Sequence, residues 1–324
     1  MKLSIVVVAL NEERHLPRCL DTIRGLEPCD LELELIVVDG GSTDRTRELA
    51  AEGGARVVES EKGIPRQRNA GARAATGELL AYVDADIELC EGWFATVARH
   101  FEGDRRLILG CPPRLPDDAS WIAQAYAMHW GAPGEEVTGV SDDARLLSTA
   151  SLIMGREVYD LVGGFAENMG VDEDTFLIKE ACRHGVRTVC DFGLKYLHHG
   201  EPRTVGEFMR RIAWGANAEE WFELLRKGDF TQARRPQYIY GAVMGAELAS
   251  LGLSLAVPVG GWLVGVPLSA AALAATVVLP SVNTARKSGA PGKVGELCLM
   301  YGAYGLATAA ALAGVGKDKA RRWR

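Results

Sequence analysis

Four short apolar runs rich in β-branched residues alternate with helical spacings over the first 86 residues, and this alternation constrains the chain most. Leu3–Ala9 reads as a buried parallel strand, and Glu34–Val38, Arg56–Glu59 and Glu78–Val83 read as three further strands. Leu16, Leu20, Ile23 and Leu26 recur at helical spacing after the first strand. Arg45–Glu52 follows the second, with Ser42 or Thr43 as its expected cap, and Ile64–Ala75 follows the third, with Pro65 in its first turn. Such an order predicts a doubly wound α/β sheet with right-handed connections and a ligand site at the carboxyl ends of the strands. Three strands end there on polar clusters: Asn11-Glu12-Glu13, Asp39-Gly40-Gly41-Ser42-Thr43-Asp44 and Asp84-Ala85-Asp86.

Gly110–Ser148 is irregular, broken by Pro112, Pro113, Pro116 and Pro133, with one helix expected at Ser120–Trp130. Irregular segments of this kind over a site often carry substrate contacts. A strand is expected at Thr149–Met154, helices at Arg156–Val162 and Asp172–Arg183, a turn at Gly163-Gly164-Phe165, a strand at Thr188–Asp191 and a short extended run ending at His198-His199.

The averages conceal a split. The 324 residues carry a formal charge of −7, yet residues 1–235 hold −12 and residues 236–324 hold +5. From Pro236 to Ala285 the one charged residue is Glu247. The charged fraction of 24% is ordinary, which argues against disorder and against a nucleic-acid partner. The opening apolar run is too short for a signal peptide with its cleavage site and reads as a strand. Seven cysteines without Cys-x-x-Cys spacing read as free, mostly buried thiols of a reducing compartment.

The acidic clusters carry the chemistry. Asp84 and Asp86, one residue apart just past a strand, can approach one divalent cation from the same side, and carboxylate oxygens suit Mg²⁺ or Mn²⁺. The alternative is a solvated turn. Asp39 can accept hydrogen bonds from a nucleobase or ribose. Arg68 is either a diphosphate partner or a surface salt bridge. Glu173-Asp174 either compensates a helix dipole or supplies a general base. His198-His199 is either a packed pair at a strand end or a source of a metal ligand. No G-x-G-x-x-G follows the first strand, and no Walker loop, G-x-S-x-G or H-E-x-x-H is present.

Five segments in order resemble a family 2 glycosyltransferase with the GT-A fold, over about residues 2–215: SIVVVALNEE, IVVDGGSTDRT, GIPRQRNAGARAATGELLAYVDADIEL, GGFAENMGVDEDTFLIKEACRHG and YLHHGEPRT. The resemblance implies a Rossmann-like, doubly wound mixed sheet and an inverting transfer from a nucleoside diphosphate sugar, dependent on Mg²⁺ or Mn²⁺. It implies that Ala9, Asn11 and Glu12 line the nucleotide site with Asp39, Arg68 and Asp84, and that Asp86 binds the metal with His198, His199 being the competing choice. Asp174 would be the catalytic base, with Glu173 beside it. Processive members carry Q-x-x-R-W. Here FMRRIAWGAN holds Arg211 and Trp214 without the Gln or the adjacent pair, which favours single addition.

Tyr238–Val257 and Gly261–Val282 approach the ~20 residues that span a bilayer, and Leu297–Gly316 is a third such run. The alternative is a buried Ala/Gly-rich soluble domain. The expected organisation is a catalytic domain at 1–203, an amphipathic juxtamembrane region at 204–235 carrying Phe208, Ile212, Trp221, Phe222 and Leu225, and a membrane domain at 236–324. Two or three segments would make a multi-pass inner-membrane protein with a cytoplasmic catalytic domain. Basic residues flank every segment, so with three segments either the third is interfacial or re-entrant, or the terminal basic cluster lies outside against the positive-inside rule. The acceptor would then be a lipid-linked or envelope glycan, with homo-oligomerisation left open. The rival readings are a polyprenyl-phosphate sugar synthase, a sugar-phosphate nucleotidyltransferase, which ALNEERH does not suit, and a non-catalytic membrane scaffold that binds nucleotide sugar.

Overall fold

A computed structural model of the chain describes residues 1–130, 140–141, 146–169, 173–215, 236–256 and 266–312. These form two compact units, Met1–Asp117 with Ala132–Gly200, and Asp118–Gly131 with Glu201–Arg324. The helix expected at Ser120–Trp130 belongs to the second unit.

The first unit holds strands β1 (Lys2–Ala9), β2 (Glu32–Asp39), β3 (Arg56–Glu59), β4 (Leu79–Asp84), β5 (Ile87–Leu89), β6 (Leu107–Gly110), β7 (Val140–Ser141), β8 (Ser151–Gly155), β9 (Arg187–Asp191) and β10 (Tyr196–His198). Its helices are α1 (Leu16–Gly25), α2 (Thr46–Glu52), α3 (Ile64–Ala74), α4 (Trp93–Phe101), α6 (Arg156–Val162) and α7 (Glu173–Arg183), with α5 (Trp121–Trp130) in the other unit. The main sheet runs β3-β2-β1-β4-β8-β6-β9-β7. β3, β2, β1 and β4 are mutually parallel, β8 is antiparallel to both β4 and β6, and β7 is antiparallel to β9. The sheet is therefore mixed.

Alternation along β1 supplies both cores. Leu3, Ile5 and Val7 face α1 and α4, against Leu16, Leu20, Trp93 and Phe101, while Val6 joins Ile36, Val38, Ala72, Leu177 and Ile178 on the opposite face. Each such side chain contributes about 1.5–3 kcal/mol by leaving water. Register then aligns the functional ends: Ala9 pairs with Asp39, and Val8 with Asp84.

Residues 87–110 contain β5, α4 and β6. Two local expectations are corrected. Neither Ser42 nor Thr43 caps α2: the N-cap position is Arg45, and Ser42 Oγ instead accepts the Asn11 N–H at 2.9 Å. All seven cysteines are free, but of these Cys19, Cys111 and Cys190 alone are buried and Cys182 is exposed.

The second unit contains α5, α8 (Val205–Gly215), α9 (Pro236–Ala256), α10 (Val266–Lys287) and α11 (Val294–Leu312). α11 packs against each of the other four. Its Leu297, Met300, Tyr301, Tyr304 and Ala307 are buried with Ile122 and Ala125 of α5, Phe208 and Ile212 of α8, and Ala285 of α10. Phe208 and Ile212 are thus core residues of this unit; Trp221, Phe222 and Leu225 lie outside the described residues.

The expected two or three membrane segments are reduced. Among the described residues one helix, Pro267–Lys287, is long and apolar enough to cross a membrane, by length and composition only. In α9 the apolar stretch is shorter, Gly241–Leu251. α11 carries Glu296, Tyr301, Tyr304 and Thr308 and buries its core face against α5 and α8, so it is a packed helix. One candidate helix is weak evidence for an anchor and does not make a multi-pass protein.

Candidate active site

The loops after β1 and β2 are laced together before any ligand is considered. Asn11 has a φ of 58°, and its Oδ1 accepts the Thr43 N–H at 2.8 Å. The Glu12 N–H donates to Thr46 Oγ1 at 2.8 Å. Asp39 is buried, and its carboxylate accepts the N–H groups of Gly41 and Ser42 at 3.1 Å. Arg47 Nε lies 3.8 Å from Asp39 Oδ2.

Sequence reasoning missed the side chain that fixes this end of the sheet. Buried Gln67 on α3 donates through Nε2 to the carbonyls of Ala9 at 2.9 Å and Val38 at 3.1 Å. The Ala9 carbonyl also accepts the Gly40 N–H at 3.0 Å, so the amide adds a second bond there and ties the ends of β1 and β2 together. A Cβ at Gly40 would stand 2.8 Å from the Gln67 amide, so glycine is required there. The one signal was position, immediately before Arg68-Asn69.

Arg68 is neither exposed nor a surface ion pair. Its guanidinium donates to Asp84 Oδ1 at 3.1 Å and to Glu173 Oε1, over the Phe165 ring at 5.5 Å. Burial works against its charge, but Glu173, Asp84 and Asp174 outweigh that and raise its pKa. Asn69 completes the clamp: its Nδ2 donates to the Phe165 carbonyl at 2.9 Å, and its Oδ1 accepts the Phe165 N–H at 2.9 Å. The Arg-Asn pair of α3 therefore ties β4 to the turn and helix that carry the acidic pair.

The two acids of that pair differ. Glu173 is buried against Arg68, and burial pushes its carboxyl upward despite the guanidinium. Asp174 is half-buried at the start of α7. Its Oδ2 accepts Thr149 Oγ1 at 3.3 Å and its Oδ1 accepts the Thr175 N–H at 2.6 Å. Asp172 lies outside the described residues.

Asp84 ends β4, and Asp86 follows in the turn to β5. β10 pairs with β5 antiparallel, placing His198 opposite Ile87 and its Nε2 3.4 Å from Asp86 Oδ2. His199 turns elsewhere: its Nε2 is 2.7 Å from Glu88, and Arg18 lies 2.9 Å from its Nδ1. A Cβ on Gly200 would overlap Asp86 Oδ2, so glycine makes room for that carboxylate. Among the described residues no group of three or more His, Cys, Asp or Glu side chains forms a metal cluster. The two-residue set nevertheless fits a hard cation, which binds through one or two carboxylates and takes its remaining ligands from substrate phosphates and water. Two ligands of one such ion stand roughly 3 Å apart, near the spacing of Asp86 and His198. Burial, with Asp86 adding to it, raises Asp84; burial, with Asp86 and Asp84 adding to it, raises Glu12. A cation would relieve that mutual repulsion.

Residues 4–152 match the profile of Glycosyl transferase family 2. The chain is 40% identical over 93 residues to glucosyl-3-phosphoglycerate synthase of Mycolicibacterium smegmatis, covering 26% of this chain and 30% of that protein. It is 37% identical over 95 residues to a PGL/p-HBAD biosynthesis glycosyltransferase of Mycobacterium bovis, covering 27% and 36%. The chain spans about a fifth to about a third of the length of the curated relatives it matches. Among solved structures, the mannosyltransferase PcManGT of Pyrobaculum calidifontis, in complex with GDP-Man and Mn²⁺, superposes with a TM-score of 0.56 at 21% identity, over 98% of this chain and 87% of that one. That likeness shows the GT-A-like fold.

Proposed function

We propose that this protein transfers a sugar, with inversion, from a nucleoside diphosphate sugar to a hydroxyl of a lipid-linked or envelope glycan, by single additions and with a membrane-associated C-terminal unit. One observation carries the reading: Asp39, Asp84 and Asp86–His198 gather at one sheet edge, and Arg68 joins that edge to Glu173-Asp174.

Asn11, Glu12 and Asp39, held by Gln67 and the loop hydrogen bonds, receive the base and ribose at the end of β1 and β2. Asp84 contacts the ribose or the donor sugar. Asp86 and His198 would hold Mg²⁺ or Mn²⁺, which when bound neutralises the diphosphate leaving group. Asp174 is the base. It is the less buried of the pair, and Thr149 and Thr175 orient it toward an acceptor hydroxyl whose proton it takes as the new bond forms. Glu173 holds Arg68 and fixes the start of α7. Inversion needs a single in-line displacement, with the base on the acceptor side and the stabilised diphosphate opposite.

The test uses purified full-length chain with UDP- and GDP-sugars and Mn²⁺. Asp86→Ala and Asp174→Asn are each expected to lower transfer by at least about 10²-fold, and Asp86→Ala also removes the Mn²⁺-dependent gain in nucleotide affinity. Transfer that persists in both variants overturns the roles.

A further inference from the structure

Beside its apolar core, the second unit has one seam with the opposite polarity. Where α9 meets α10, the facing side chains are polar: Thr276 Oγ1 donates to Glu247 Oε1 at 2.6 Å, and Ser250 and Ser269 hydroxyls meet at 2.9 Å. Ser269, Ser281, Thr284 and Thr308 are buried. A set of large apolar side chains on these helices faces outward. Leu253 of α9 is 69% exposed, Leu268 and Leu279 of α10 are 66% and 68%, and Leu299 of α11 is 65%. A soluble bundle places these residues the other way round.

The rest of α10 points the same way. Its buried positions form a narrow stripe through Ser269, Ser281, Thr284 and Ala285, while Leu268, Val278, Leu279 and Val282 are exposed. The candidate segment Pro267–Lys287 has a mean hydropathy of 1.5 and is 22% buried. At 22 residues, α10 reaches roughly the ~30 Å of a hydrocarbon core. It ends on Arg286 and Lys287, with Lys293 just beyond. Glu247, the one charge between Pro236 and Ala285, is turned against Thr276. Small and hydroxylated residues between helices with leucines outside are the arrangement that lipid, not water, favours.

We infer that the leucine-bearing outer surface of α9, α10 and the Leu299–Leu306 edge of α11 is a lipid-contact surface, seated in a bilayer whose anionic headgroups meet Arg286 and Lys287, Lys293 being paired with Glu296. The occupant is a phospholipid bilayer, on two grounds: the length of α10 and the match of the basic end to anionic lipid. The inference rests on the membrane association proposed above but not on the sugar chemistry, so the test reads no donor turnover.

Full-length protein, purified in detergent, is mixed with phosphatidylcholine vesicles with or without phosphatidylglycerol and floated after detergent removal. The Leu268→Glu/Leu279→Glu variant, altered at exposed positions, is expected to lower the floating fraction by at least roughly tenfold. Arg286→Glu/Lys287→Glu should reduce flotation on the phosphatidylglycerol vesicles alone, and Leu161→Glu, on α6 of the first unit, should float as the parent does. Circular dichroism checks that each variant folds. Independently, a nitroxide at Leu279→Cys should be broadened by oxygen and shielded from an aqueous nickel chelate in the vesicles. Unchanged flotation of Leu268→Glu/Leu279→Glu, or a nickel-accessible label, overturns the inference. So does a parent dimer that this variant converts to monomer without loss of flotation, because a second copy then covers the face.

Discussion

Replacing Arg68 tests whether α3 joins the two sides of the site. In Arg68→Met the side chain keeps much of its volume and loses its charge. Glu173, whose side chain is 8% exposed, is then left buried without its counter-ion, and the half-exposed Asp84 loses a partner at 3.1 Å. Breaking a buried pair from one side costs about 3–5 kcal/mol, and the exposed half adds less than about 1 kcal/mol. For a folding unit of this size each kcal/mol lowers Tm by about 2–4 °C, so Arg68→Met should lower Tm by roughly 8–15 °C in calorimetry at pH 7. Glu173→Gln alone strands the cation, while the double variant removes both charges and should regain at least about 2 kcal/mol relative to additivity. The pH dependence has a definite sign. Burial and Asp174 already raise Glu173 above its unfolded value, and loss of Arg68 raises it further. A carboxyl raised on folding destabilises above its unfolded pKa of about 4.3, and the penalty fades as acid protonates it. The Tm deficit should therefore shrink between pH 7 and pH 4. A deficit within about 2 °C, or strict additivity in the cycle, would refute the bridge.

Gly200→Ala should leave Tm within a few degrees while lowering transfer by about 10²-fold, since the added methyl displaces Asp86 from its place beside His198; a rate equal to the parent's would show that Asp86 tolerates the shift. At Asp191, burial acts to raise the pKa, but the His100 hydrogen bond, the Gly193 N–H and Arg99 outweigh it and hold the carboxyl low. That stability is present above the unfolded pKa of about 3.9 and is lost as pH falls through the lower folded value. Asp191→Asn should therefore be less stable at pH 6, with the gap to the parent closing below about pH 4 in a series of thermal melts.

The gathering of polar residues at the strand ends was legible because parallel strands leave a simple trace. β1, β2 and β4 are continuous apolar runs, their register aligns Ala9, Asp39 and Asp84, and polar residues at such ends have one place to go. Partner choice was not legible. Arg68 reads equally as a phosphate ligand, a surface pair or a bridge until the fold brings Glu173 to it across 105 positions. Gln67 carried no pattern of its own, because its partners are backbone carbonyls. His198 and His199 were separated by strand parity: pairing of β10 with β5 sends one toward Asp86 and the other toward Glu88. The tail misled for a related reason. Hydropathy sees that α11 is apolar but not that Met300 and Tyr304 spend that character on α5 and α8.

The placement of α5 has a practical consequence for anyone wishing to work with the first unit alone. Ile122 and Ala125 lie early in the chain, yet they are covered by side chains contributed after residue 200. Cutting the polypeptide near residue 203 would not release a clean soluble enzyme. It would leave a ten-residue apolar helix stripped of its shelter in the middle of the remaining chain, a sticky loop where the sequence promised a simple stump.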